Sequence, residues 1–341
     1  MRDLNRRHFL HLTAGAAVAG GLSVMPRAAF AQAKSVEALY EAAKAEGKLV
    51  YYAAANVNIT RRVVAAFNEL YPGIEVEILR LATSQMAQRF MSEHQAGNYA
   101  NDLIQLSDPF VLQDAADRGW LAPLSELPAA ATYPADAKTE YWALIGIAAH
   151  TIIYNTDLVS EAESPKTWED LLDPKWKGQI ILSDPRNNLE VADWLYTMYD
   201  AYGEDYLVAL KAQDPQFVPS ILPGLQMLAA GDGKIIAPGL HQATMIMLDK
   251  GAPVADVAPA LDSGQESLVA VCSNAKSPNA ARLLANFLLT PAGQAAYCAG
   301  WAASVLPEPV PGAIELSPQH KRARYEQALA ERDKLVAILG L

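Results

Sequence analysis

The chain has 341 residues, of which 51% are hydrophobic, enough for about two domains and a sizeable core. Its 38 acidic residues outnumber 27 basic ones, for a net charge of −11. That balance excludes nucleic acid and an anionic membrane as expected partners, but leaves a small ligand open, because a cleft can differ locally from the whole surface.

The N-terminus reads as an export signal. Asn5-Arg6-Arg7-His8-Phe9-Leu10 resembles the twin-arginine motif, in which two arginines precede a hydrophobic pair. Residues 12–25 form an apolar run that is too short, and too rich in Ala and Gly, for a spanning helix. Ala29-Phe30-Ala31 has the small-x-small form of a signal-peptidase site. Residues 1–31 are therefore expected to be a twin-arginine signal peptide, cleaved before Gln32, with a retained amphipathic anchor as the alternative. Loss of Arg2, Arg6, Arg7, Arg27 and Asp3 with this leader leaves 23 basic and 37 acidic residues. The remainder holds no run long enough to cross a bilayer and is expected in the periplasm. Its two cysteines, Cys272 and Cys298, are open to two readings, a disulfide or two buried thiols.

The predicted elements follow in order. Residues 36–46 are an amphipathic helix. Residues 48–79 read strand, loop, helix, strand, with Thr60 as the cap of a helix from 61 and Tyr71-Pro72-Gly73 as its stop. A helix over 85–96, a strand over 102–107 and a helix from Asp108-Pro109 come next. The apolar run 142–155 reads as a long strand passing between two lobes. Strands at 179–183, 217–218, 234–237 and 253–257 alternate with helices at 189–202, 204–212, 222–230 and 242–250. Residues 266–272 form a second long apolar strand that returns the chain to the first lobe. Helices at 278–289, 291–299 and 321–339 complete the chain.

Several stretches together carry a resemblance: GKLVYYAA and AFNELYPGIEVE, then YNTDLV and PKTWEDLLDPKWKGQIILSDP, then AYGEDYLVALKAQ, and later ALDSGQESLVAVCSNAKSPNAARLLANFLLTPAGQ. Over roughly 36–311 the chain resembles the solute-binding proteins of ABC importers, in the group that includes ferric-iron, thiamine, polyamine and phosphonate binders. The resemblance implies an α/β type II periplasmic binding fold of two lobes joined by two crossover strands, with solute in the cleft between them. Lobe 1 is then 32–145 with 264–341, and lobe 2 is 146–263. It also implies delivery to an ABC transporter permease by a monomer that needs no cofactor and is no enzyme. Iron-binding members hold the metal through tyrosine phenolates, including an adjacent pair in the second lobe. Here the only Tyr-Tyr pair is Tyr51-Tyr52, in the first strand, and Leu222-Pro223-Gly224-Leu225 stands where the second-lobe pair is expected. Fe(III) is the alternative ligand, and a periplasmic α/β enzyme the alternative class. No G-x-S-x-G, H-E-x-x-H, C-x-x-C or Walker motif is present to support that second alternative.

Ligands of open α/β sheets sit outside the carboxyl ends of strands, where helix N-termini offer N–H groups. The residues expected to face the solute are accordingly Ala54, Asn56 and Asn58, Arg80 with Thr83 and Ser84, Ser107 and Asp108, Asp184, Arg186 and Asn187, and His241. Arginine beside helix N-termini suits a carboxylate or phosphonate. Each residue also has a local reading. Asp108 and Asn187 or Asn188 can cap helices, Arg186 can pair with Glu190, and Arg80 can lie free on the surface.

Overall fold

The computed structural model describes residues 35–341; the export-signal reading of 1–31 lies outside them. Three strands, β1 (Lys48–Ala53), β2 (Glu75–Arg80) and β3 (Leu103–Leu106), run parallel. Ala53 lies opposite Arg80 on one side and Gln105 on the other, so all three strands end at one level. Helices α1 (Val36–Glu46), α2 (Val57–Leu70), α3 (Thr83–Gln95) and α4 (Pro109–Asp117) connect and cover them. In α2, Ile59, Val63 and Phe67 recur every four residues and form the buried face. This helix starts earlier than expected. Asn56, not Thr60, caps it by accepting the Asn58 N–H, and Thr60 lies buried inside it with its hydroxyl on the Asn56 carbonyl. α3 likewise starts at Thr83 rather than 85.

The strand β4 (Trp142–Asn155) spans the predicted residues, and all 14 are buried. Its first half pairs antiparallel with β9 (Gly264–Val271), which also pairs antiparallel with β3. Its second half pairs antiparallel with β7 (Ile235–Leu240) and β8 (Val254–Val257). Beyond β7 lie the parallel strands β5 (Ile180–Ser183) and β6 (Gln216–Val218). The order is β2-β1-β3-β9-β4-β7-β5-β6, with β8 beside β4.

This register creates a cleft. β3 runs in the same direction as β4, because both are antiparallel to β9, while β7 runs the opposite way. The carboxyl end of β3 stops level with Leu144, through Leu106↔Leu268 and Leu268↔Leu144. The carboxyl end of β7 stops level with His150. The strand ends of the two halves therefore face each other across roughly 20 Å at about 3.3 Å per residue, floored by β4 and the start of β9.

Alternation along the second-half strands fills both faces. Ile180, Leu182, Ile235, Ala237, Ile152 and Tyr154 point into one core with Trp168 and Trp194. Ile181, Ile236 and Ile153 point into the other, which continues through the first half. Helices α5 (Leu189–Tyr202), α6 (Glu204–Ala212) and the terminal α11 (Tyr325–Leu339) pack on the tryptophan side, with Leu335 and Leu339 inside that core. Helices α7 (Ile221–Ala230) and α8 (His241–Leu248) cover the other side. Residues 238–240, expected as a loop, extend β7 directly into α8. A Cβ on Gly239 would lie 2.4 Å from Ile153 Cγ1, so glycine permits this pairing. Helices α9 (Pro278–Leu288) and α10 (Pro291–Cys298) complete the first half. Cys272 and Cys298 are free and buried, and burial pushes the Cys298 thiol up to about 12.

His150, Asp193, Asp262 and Ser263 are buried polar groups. His150 Nδ1 lies 3.2 Å from Ser263 Oγ, and His320 Nδ1 lies 2.7 Å from Asp262 Oδ1. Asp193 of α5 accepts the Arg324 N–H at 2.7 Å. Burial pushes the Asp193 carboxyl up to about 6, against the pull of that hydrogen bond. A carboxyl raised by folding contributes stability below its ordinary value and loses it as pH rises through about 6. Asp193→Asn keeps the acceptor oxygen and removes the charge. We expect it to gain about 2–3 kcal/mol in urea denaturation at about pH 8 and nothing at about pH 4. An equal effect at both pH values would contradict a buried carboxylate at this position.

Candidate functional site

Each half aims its strand-end segments at the cleft. After β1, the Ala54 N–H donates to the Gln105 carbonyl at 2.9 Å, and the Ala55 N–H to Gln105 Oε1 at 2.8 Å. The Asn58 N–H is taken by the Asn56 side chain. The backbone N–H groups of Ala54, Ala55 and Asn58 are thus spent within the protein and are not free for a solute. Arg80, at the end of β2, turns its Nε toward the Ala55 carbonyl at 3.4 Å and otherwise lies exposed. Thr83 and Ser84 fall in the first turn of α3, half-buried and exposed respectively. Ser107 is buried at the end of β3. Asp108 caps α4, accepting from the N–H groups of Phe110 at 2.9 Å and Val111 at 3.2 Å, a role worth about 1 kcal/mol.

From the opposite edge, β5 delivers Asp184 and Arg186. The guanidinium grips the carboxylate twice, Nη2 to Oδ2 at 2.6 Å and Nε to Oδ1 at 3.0 Å, while the Arg186 N–H donates to the same Oδ1 at 2.9 Å. This grip holds the Asp184 carboxyl below the usual carboxylate range. Arg186 thus pairs with Asp184 rather than Glu190, and its side chain stays half exposed. The cap of α5 is Asn188, which accepts the Glu190 N–H, and Asn187 is exposed beside it. At the end of β7, His241 opens α8 and sets Nδ1 2.9 Å from Asp256 Oδ2, which raises the imidazole above its ordinary value.

One cavity of about 190 Å³ joins the two edges. It is lined by Asp108 and Phe110 from the first edge, by residues 185–189 from the second, and by Leu329 and Arg332 of α11. Of the expected residues it brings together Asp108, Arg186 and Asn187; the other nine do not line it. Phe110, Leu329 and Arg332 were not expected. Neither was a polar chain at the floor, in which Gln265 of β9 donates to Glu190 and accepts from Gln242 of α8 at 3.0 Å, while Asn188 Nδ2 donates to Glu190 at 3.1 Å. Burial raises the Glu190 carboxyl against these hydrogen bonds. The tyrosine pair is unsuited to metal: Tyr51 is buried and its phenol is pushed upward, and the Tyr52 hydroxyl donates to Glu93 at 2.9 Å. Among the described residues no cluster of three His, Cys, Asp or Glu is placed to hold a metal ion.

Facing strand ends, a strand-paired floor and a cavity bridging both edges define a ligand-binding protein of the periplasmic binding type. Residues 62–323 match the family described as bacterial extracellular solute-binding protein, and the chain belongs to that family. It is 27% identical over 237 residues, 65% of this chain and 66% of the relative, to a Salmonella paratyphi A protein whose name proposes 2-aminoethylphosphonate binding in the periplasm. Iron-bound HitA from Pseudomonas aeruginosa shares the fold at a TM-score of 0.65 and 19% identity, covering 86% of this chain and 99% of HitA. AfuA from Actinobacillus pleuropneumoniae, solved with fructose-6-phosphate bound, does so at 0.62 and 21%, covering 85% and 97%.

Proposed function

We propose that this protein is the periplasmic receptor of an ABC importer and captures a small anionic solute, a phosphonate or carboxylate, between the facing strand ends. The observation that carries this reading is the cavity shared by Asp108, Arg186 and Asn187 from opposite edges of the cleft. The Arg186 N–H groups that Asp184 leaves free, and the start of α5, offer charge-assisted hydrogen bonds to an anion. Contacts of this kind contribute about 1.5–3 kcal/mol each, so several reach the roughly 8 kcal/mol of micromolar binding. The Salmonella relative's name and the phosphate ester bound to AfuA support the same ligand chemistry. Solute binding closes two bodies about β4 and β9, to the extent that the closed form binds it better. The division read from the sequence is refined by α11, which we place with the second body because Leu335 and Leu339 enter its core. The permease reads the closed form, and export by the twin-arginine route brings the chain to it.

Calorimetric titration with 2-aminoethylphosphonate, small carboxylates, thiamine phosphate and Fe(III) tests the proposal. Micromolar binding of an anion supports it. Uptake of iron alone, with a phenolate colour, would instead establish the alternative ligand.

A further inference from the structure

We propose that the C-terminal helix enters the solute site through Arg332, and that this arginine makes the site prefer a doubly charged phosphonate or phosphate group over a carboxylate. The inference rests on the anion reading above and adds a residue that lies outside the family match, which ends at 323. Leu329 and Arg332 are three residues apart and share one face of α11; both line the cavity together with Asp108 and residues 185–189. Arg332 Nε is buried and has no hydrogen-bond acceptor. Its nearest carboxylate, Asp333 Oδ1 at 3.5 Å, belongs to a side chain that is 94% exposed, a pairing of little energetic weight. Arg186 differs, since Asp184 already occupies much of its fork.

A carboxylate presents two oxygens and one charge, which a single guanidinium matches. A phosphonate presents three oxygens and up to two charges, so one arginine leaves acceptor capacity and charge unmet. A second guanidinium, carried on a different element that lines the cavity, supplies both, and a planar fork does so with more geometric selectivity than an ammonium. Phe110 and Leu329, each 37% exposed, add apolar surface on the first edge and on α11. They can cover the carbon part of a solute and exclude water from the ion pairs, which strengthens them. α11 itself is anchored by Leu335 and Leu339 in the second core, so Arg332 rides on a fixed element.

Ethylphosphonate and propionate differ chiefly in the anionic group and serve as the probes, titrated calorimetrically at about pH 9, because a phosphonate loses its second proton well above the roughly pH 6 of a phosphate ester. Wild type is expected to bind ethylphosphonate about tenfold more tightly than propionate, and Arg332→Gln to lose about tenfold for ethylphosphonate with propionate changed by less than about twofold. Arg332→Lys is expected to recover part of the loss, and it carries the comparison if the glutamine variant melts early. Equal weakening of both probes, or no change in either, overturns the role of Arg332. If wild type binds both probes and Arg186→Gln loses both while Arg332→Gln loses neither, only this inference fails. If wild type binds neither, the anion reading fails and takes this inference with it.

Discussion

Replacing Arg186 by glutamine is expected to weaken binding of phosphonates and carboxylates by about 30-fold or more, the equivalent of removing one charged hydrogen-bonding group worth about 2–3 kcal/mol. The side chain is half exposed, so its loss leaves no cavity. The backbone N–H at 186 still donates to Asp184, so the loop keeps one of its ties. Asp184 loses the guanidinium that holds its carboxyl low and becomes an uncompensated negative charge near the anion. Both changes act in the same direction. Calorimetry on wild type and variant measures the loss directly, and unchanged affinity would remove Arg186 from the site.

Gly264→Ala is expected to cost about 3 kcal/mol of stability, the upper range for forcing extra volume into a packed site. A Cβ at this position would lie 2.5 Å from the Ala148 carbonyl oxygen and 3.1 Å from its carbon. Those are backbone atoms of the partner strand, so no rotamer change relieves the overlap. β9 must move away from β4 where Ala149 pairs with Gly264. The next residue, Gln265, ties the floor to Glu190 and Gln242, so the displacement reaches the cleft and solute affinity falls together with stability. Urea denaturation tests the first effect; a change below about 0.5 kcal/mol, the usual scale of a neutral substitution, would contradict the close approach of the two strands.

The features legible in the sequence were those written in local pattern. β4 could be read to the residue because a strand buried on both faces is apolar along most of its length, and its polar residues, His150, Thr151 and Asn155, do not alternate with the apolar ones. The start of α2 was misread because Asn56 and Thr60 are both competent caps, and burial of Ile59 decides between them only through tertiary packing. Pro238-Gly239 reads as a turn, yet both lie in β7. The ladder shifts register between Thr151 and Ile153, and Pro238 falls within the shift, so its missing N–H breaks no ladder bond. Of the residues lining the candidate cavity, Asp108, Arg186 and Asn187 could be named from sequence because they lie in the segments that follow strands. Arg332 was not. It lies mid-helix, and only the packing of α11 beside α5 brings it to a loop near 186. The Glu190–Gln265–Gln242 chain was hidden for the same reason, since it joins three elements distant in sequence.

The most direct test is a crystal structure of the protein with a bound phosphonate. The account predicts the solute in the gap between the facing strand ends, its anionic oxygens within hydrogen-bond distance of Arg186 and its carbon chain against Phe110. A solute bound on the outer surface, with the cavity among Asp108, Arg186 and Arg332 left vacant, would contradict it.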